Sequence, residues 1–217
     1  MPLAPRSGRV LERVDHLVYA APDLEAAVGA LEATLGARAE PGGRHPAEGT
    51  RNFLLALGPA VYLEIVGPDR GGEKLARPRW FGIDGLDRPK LAVWAARGED
   101  LDGIVTMAAV AGVKLGPVSS GSRERPDGEL LSWRFTDPRV IVEGGVVPFF
   151  IDWGRTPHPA LSTPQGATLE TLRAEHPEPR RARNALSAVG LDLPVALGAK
   201  PALIATIRTP RGIVELR

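Results

Sequence analysis

The stretch RVDHLVYAAPDLEAAVGALEATLG, residues 13–36, changes its hydrophobic period halfway along. RVDHLVYAA reads as a short β run carrying Val, Leu and Tyr. In PDLEAAVGALEATLG, Leu24, Ala27, Val28, Leu31 and Leu35 fall at helical spacing on one face. Asp23 is placed to cap the helix at its start and Gly36 to stop it. Next come ARAEP, the polar stretch GGRHPAEGTRN (42–52), NFLLALG, a Gly-Pro turn and AVYLEIVGP, of which the last two apolar runs read as a hairpin. The order is strand, helix, then two or three strands.

The same order recurs. KLAVWAA is β-like, and EDLDGIVTMAAVAG puts Leu101, Ile104, Val105 and Ala108 on one helical face that ends at Gly112. VKLGP, ELLSWRFTD and VVPFFIDWG read as the strands that follow. A shorter copy comes after: ATLETLRAE as a strand, PEPRRARNALSAVG as a helix with proline at its start and glycine at its end, and PALIATIRTPRGIVELR as strand, turn, strand. The helix starts at Asp23, Asp100 and Glu178 lie roughly 77 residues apart, the mark of a supersecondary repeat. The expected fold is α+β, built of βαβββ modules over 1–86 and 87–160 with a shorter βαββ copy over 161–217. Two such modules pair into a curved half-barrel sheet whose inward faces leave a cavity, a natural ligand site.

Composition narrows the function classes. The 217 residues are 43% hydrophobic and 24% charged, globular values for one large domain or two small ones. With 27 Lys+Arg against 26 Asp+Glu, the net charge of +1 gives no reason to expect nucleic acid or membrane as a partner. The basic run EPRRARN (178–184) reads as a solvated helix face. The chain has no cysteine, which excludes disulfides, thiolate catalysis and Cys-based zinc sites. MPLAPRSGRVLE lacks the apolar core of a signal peptide, and no apolar run approaches the ~20 residues of a membrane span, so a cytoplasmic location is expected. GPVSSGS lacks the lysine of a phosphate loop, and no Gly-x-Ser-x-Gly elbow is present.

Several residues carry chemistry. His16 sits in the first β run, and a neutral imidazole there suits a metal or accepts a proton. Glu64 alternates with Leu63 and Ile65 and so points to the opposite face. In an apolar barrel its pKa rises unless it is paired. Asp152, flanked by Ile151 and Trp153 just after Phe149 and Phe150, either faces water or closes a pocket. Glu215 repeats the context of Glu64 near the chain end. Arg123 and Arg125 precede a Pro-Asp-Gly turn as solvated loop residues or as bidentate holders of a carboxylate or phosphate. Trp133 and Phe135 alternate on the next strand as core or as cavity floor, and Phe150 is a further aromatic candidate. GGRHPAEGTRN joins the second and third strands of the first module, at the rim of a half-barrel, which makes His45 and Asn52 candidate substrate contacts. SSGSRERPDGE is its counterpart in the second module, the facing lip. His158 reads as a linker residue.

These segments resemble the vicinal oxygen chelate superfamily, which includes glyoxalase I, extradiol dioxygenases and bleomycin-resistance proteins. DHLVYAAPDLEAAV and YLEIVG carry the wider resemblance. GGRHPAEGTRNFLLALG, GSRERPDGELLSWRF and PFFIDWG followed by HP are similar to the glyoxalase-like domain family within it. The resemblance covers residues 13–159 and implies a divalent metal in the module cavity, held from the first and last strands of paired modules. His16 and Glu64 match that pattern, Asp152 falls near the second glutamate position, and the third copy offers Thr171 and Glu215. Leu91 stands where the second histidine would be and cannot bind a metal. Two readings follow. One is a lyase, isomerase or dioxygenase acting on a vicinal-oxygen or carbonyl compound, with His16 and Glu64, joined by Asp152 or Glu215, holding Zn²⁺, Mn²⁺, Fe²⁺ or Ni²⁺ or serving as acid and base. The other is a metal-free protein that sequesters a small molecule between Trp133, Phe150 and the His45 loop. A homodimer is compatible with module pairing.

Overall fold

The computed structural model describes residues 10–71, 77–124 and 130–217. The first unit runs β1 (Val14–Ala20), α1 (Leu24–Leu35), β2 (Glu40–His45), β3 (Thr50–Ala56) and β4 (Tyr62–Pro68). The second runs β5 (Lys90–Arg97), α2 (Leu101–Val110), β6 (Val118–Glu124), β7 (Leu130–Thr136) and β8 (Phe149–Asp152). Their strands form one eight-stranded sheet in the order β2-β3-β4-β1-β5-β8-β7-β6. The two halves of that order match: each unit's first strand lies parallel to its last, β1 with β4 and β5 with β8, and β1 meets β5 antiparallel at the centre. The half-barrel expected from the repeat is this curved sheet.

The helices form where the pattern placed them. Asp23 accepts the amide hydrogen of Ala26 at 3.2 Å, and Gly36 closes α1 in the left-handed region at φ 64°. Asp100 caps α2 in the same way, through Gly103 at 2.9 Å. Leu24, Ala27, Val28, Leu31 and Leu35 of α1 are buried in the main core with Leu17, Leu63 and Trp94. Each fully buried leucine contributes about 1.5–3 kcal/mol. A second, smaller cluster lies on the concave face and includes Val18, Ala20, Phe135, Phe149 and Ile151.

Two strands of the half-barrel, β2 and β6, differ from the expected positions. β2 takes in residues 42–45, which the sequence reads as part of a loop. VKLGP is not a strand; β6 is VSSGSRE, a stretch that reads as a polar loop because it lacks alternating apolar residues. It holds as a sheet edge because Gly121 lies under the Trp133 ring, where an added Cβ would sit 2.6 Å from Trp133 Cε2. The C-terminal residues form β9 (Thr168–His176), α3 (Pro179–Ala188), β10 (Val195–Leu197), β11 (Ala202–Thr209) and β12 (Gly212–Leu216) in a separate sheet of order β10-β9-β11-β12. Here the first strand lies parallel to the strand directly after the helix, rather than to the last strand as in the two preceding units. Among the described residues no helix is long and apolar enough to cross a membrane.

Candidate functional site

The concave face of the half-barrel encloses a cavity of ≈ 50 Å³. The first unit supplies the polar side of the wall: His16, His45, Asn52 and Glu64, with Tyr62 and Leu54. The second supplies Trp133, Phe135, Phe149, Ile151 and Trp153, all apolar or aromatic. Trp80 and Phe81, from the segment between the units, cover it. Phe81 has φ 58°, unusual for an aromatic residue, and this turn lets two consecutive rings face the same space.

His16 lies at the centre of the polar side, its ring stacked on Tyr62 at 4.6 Å between centroids. The local backbone explains what holds it. Val14 pairs with Ala96 and His16 with Ala95, so Asp15 is an extra residue without an opposite partner on β5. This β-bulge brings together two neighbouring side chains that regular alternation would send to opposite faces. His16 Nδ1 is 2.7 Å from Asp15 Oδ1. The carboxylate can only accept, so Nδ1 carries the proton and Nε2 faces the cavity. Glu64 Oε2 lies 3.7 Å from that Nε2, and Glu64 Oε1 accepts a hydrogen bond from Asn52 Nδ2 at 2.6 Å. Glu64 and Asn52 reach each other as diagonal neighbours on adjacent strands, since Asn52 is opposite Val66.

Asp15 is fully buried. Burial alone would raise its pKa, but the hydrogen bonds and charge of His158 and His16 outweigh it and hold the carboxyl well below the usual range. His158 Nε2 is 3.2 Å from Asp15 Oδ2, and its Nδ1 accepts the Ala160 amide hydrogen, which leaves the Nε2 hydrogen for Asp15. Trp153 Nε1 donates at 3.2 Å, and Arg97 Nε lies 3.7 Å away. A charge this deep persists because donors surround it.

The rim loop is built around Glu48. Its buried carboxylate accepts from Arg77 at 2.8 Å and from Arg139, which reaches across from the second unit and lies over the Trp80 ring, 5.8 Å from its centroid. His45 closes β2, 3.1 Å from Thr50 Oγ1 and with its ring 5.5 Å from Trp80.

Of the residues singled out in the sequence, the structure brings His16, Glu64, His45, Asn52, Trp133 and Phe135 to one cavity. Phe150 belongs instead to the main core on the helix side, because alternation along β8 turns Phe149 and Ile151 inward and Phe150 outward. Asp152 follows the same alternation. It lies outside the cavity lining and accepts the Gly154 amide hydrogen at 2.8 Å. Glu215 is on the second sheet, exposed and paired with Arg173 and Arg217. Arg125 and the Arg123 side chain lie outside the described residues. Asp15, Tyr62, Trp80, Phe81, Phe149, Trp153 and His158 were not picked out as site residues. The adjacent acid and imidazole in DH, opening a strand, were the one available signal.

The four-ligand metal set implied by the resemblance does not assemble. Only His16 Nε2 and Glu64 Oε2 face each other, while Asp152 and Glu215 are engaged elsewhere. Among the described residues no group of three or more His, Asp or Glu is arranged to hold a metal ion. The donor set therefore does not fit a resident divalent metal with its full protein ligation.

A hypothetical protein from Staphylococcus aureus superposes with a TM-score of 0.62 at 12% identity, covering 93% of this chain and 83% of that one. A methylmalonyl-CoA epimerase from Streptomyces coelicolor gives 0.43 at 19% identity, covering 68% and 98%. The Mycobacterium tuberculosis methylmalonyl-CoA epimerase gives 0.40 at 22%, covering 64% and 85%. No curated protein matches the sequence. The glyoxalase-like domain model matches residues 14–190, most of the chain. This chain belongs to the glyoxalase-like domain family of the vicinal oxygen chelate superfamily.

Proposed function

We propose that the protein is an enzyme that moves a proton on a small carbonyl compound held in the half-barrel, as an isomerase or lyase would, without a resident metal. The observation that carries this reading is the line Asp15–His16–Glu64–Asn52, which runs from a buried carboxylate to the cavity. Asp15 fixes the His16 tautomer and stabilises the imidazolium that forms when Nε2 takes a proton. The bond broken is C–H next to the carbonyl, and the bond formed is N–H on His16. The electron pair moves onto the carbonyl oxygen as an enolate. Glu64, held in place by Asn52, positions the substrate beside Nε2. Return of the proton to another position gives the isomer. His45 and Asn52 act at the rim as substrate contacts.

The test is exchange in D₂O, followed by NMR, of the protons next to the carbonyl in a panel of small ketones and hydroxyketones. Exchange accelerated by the protein and lost in His16→Ala and Glu64→Gln supports the reading. Acceleration that survives both substitutions overturns it. The second reading, a protein that sequesters its ligand, is favoured by the aromatic wall. It predicts saturable binding with no exchange.

A further inference from the structure

The chain has few aromatic side chains, 4 Trp, 2 Tyr and 5 Phe. Seven of these eleven line this one cavity. A core does not require such a distribution; Trp94 and Phe150 alone supply the main core with large rings that are fully buried. The charge of the wall is equally one-sided. Glu64, 7% exposed, is its one carboxylate, and no Lys or Arg is among the described lining residues. The only charge partner within ion-pair distance of Glu64 among the described residues is His16. The nearby guanidinium of Arg139 stands behind Trp80 and is bound to Glu48, and that of Arg97 lies below, against Asp15. A buried carboxylate facing ring faces, with no fixed cation, is an environment that stabilises a positive charge. The ring quadrupoles attract a cation, and the carboxylate completes the pair.

We infer that the ligand of this cavity is a small compound that carries a ring and a protonated nitrogen, the nitrogen directed at Glu64 and the ring stacked among Trp80, Trp133 and Phe149. The cavity rejects carboxylates and phosphates of the same size, because no described lining group would neutralise them and Glu64 would repel them. This inference rests on the cavity being the substrate site and adds the charge class of the substrate.

Three probes of nearly equal size separate the possibilities: benzylamine, cationic at neutral pH, benzyl alcohol, neutral, and benzoate, anionic. Trp80, Trp133 and Trp153 line the cavity and report binding by fluorescence, and NMR titration of the ligand checks it. Benzylamine is expected to bind about tenfold or more tighter than benzyl alcohol, with benzoate weakest. Glu64→Gln, which keeps the side chain's size, should bring benzylamine to within about twofold of the alcohol. Benzyl alcohol or benzoate binding as tightly as benzylamine, or a preference unchanged in Glu64→Gln, overturns the charge class and leaves the substrate site standing. Failure of all three to bind at millimolar concentration overturns both.

Discussion

Replacing Asp15 by asparagine tests the group on which the site depends. The carboxylate accepts from His16 at 2.7 Å and from Trp153 at 3.2 Å, faces His158 Nε2 at 3.2 Å, and lies 3.7 Å from the Arg97 guanidinium. An amide of the same shape has one oxygen with two lone pairs and turns an NH₂ towards the remaining donors. At least one ring N–H then loses its acceptor, and Arg97 loses a buried countercharge. Breaking a buried pair from one side costs about 3–5 kcal/mol. The amide keeps part of the hydrogen bonding, so about 3 kcal/mol is expected. For a chain of this length that lowers Tm by about 6–12 °C. The pH dependence has a definite sign. Asp15 is held below its ordinary pKa in the folded protein, so the unfolded state binds the proton more tightly. The stability it contributes is present above about pH 4 and is lost as the pH falls through its folded value. Thermal melts followed by circular dichroism should therefore show a gap between wild type and Asp15→Asn that is full at pH 7 and closes below about pH 4. A gap at pH 7 within about 2 °C, or one that widens in acid, refutes the argument that the donors around Asp15 hold a charged carboxylate.

Other perturbations follow from the same geometry. Gly145 has φ 97°, and an added Cβ would lie 2.0 Å from the Ala92 carbonyl oxygen; Gly145→Ala should cost more than about 3 kcal/mol, read as loss of soluble protein or a fall in Tm near 10 °C. Glu48→Ala strips Arg77 and Arg139 of their buried partner and should lower Tm by about 3–8 °C, while the uncompensated Arg139 cation behind Trp80 weakens benzylamine binding in the cavity several-fold. Glu215→Ala removes two exposed ion pairs, with Arg173 and Arg217, and should shift Tm by less than about 3 °C, with proton exchange unchanged, as expected for a residue outside the cavity. Dialysis against a chelator should leave both Tm and exchange unchanged; a loss restored by Zn²⁺ or Mn²⁺ would overturn the metal-independent reading.

The sequence carried the fold further than the site. Helical period, caps and repeat spacing are local, and they placed α1, α2 and α3 because nothing tertiary opposed them. The half-barrel followed from the repeat, since two modules with one covered face each can bury the other only against one another. β6 was not legible, because an edge strand held by Gly121 under Trp133 needs no apolar alternation. At the site, His16 was legible from its strand and the family resemblance, His45 and Asn52 from their place in a rim loop, and Glu64 by assuming strict alternation. The same assumption hid Asp15, since a bulge is a defect in alternation, and its only trace in the chain is the neighbouring pair of residue types.

The repeat is one of backbone and not of chemistry, as Leu91 in place of a second histidine already implies. If the second unit copied the first in chemistry, a second pair of ligands would face His16 and Glu64. Instead His16 is opposite Ala95, and Leu91, the residue matched to it by sequence, packs in the main core away from the cavity. On the concave side β5 carries Ala92, Val93 and Ala95, none of them large, and the rings of β7 and β8 reach into the cavity beside them. The two halves thus share a backbone and divide the work. One wall carries the polar groups His16, Asn52 and Glu64, and the other supplies apolar, polarisable area. This division makes the pairing of a carboxylate with aromatic rings, rather than a symmetric ligand set, the feature on which ligand choice depends. Exchanging Trp133 for leucine should therefore weaken benzylamine more than benzyl alcohol, because both probes lose apolar contact while only the cation also loses its attraction to the ring face. Equal weakening of the two would mean that the rings act only as apolar surface.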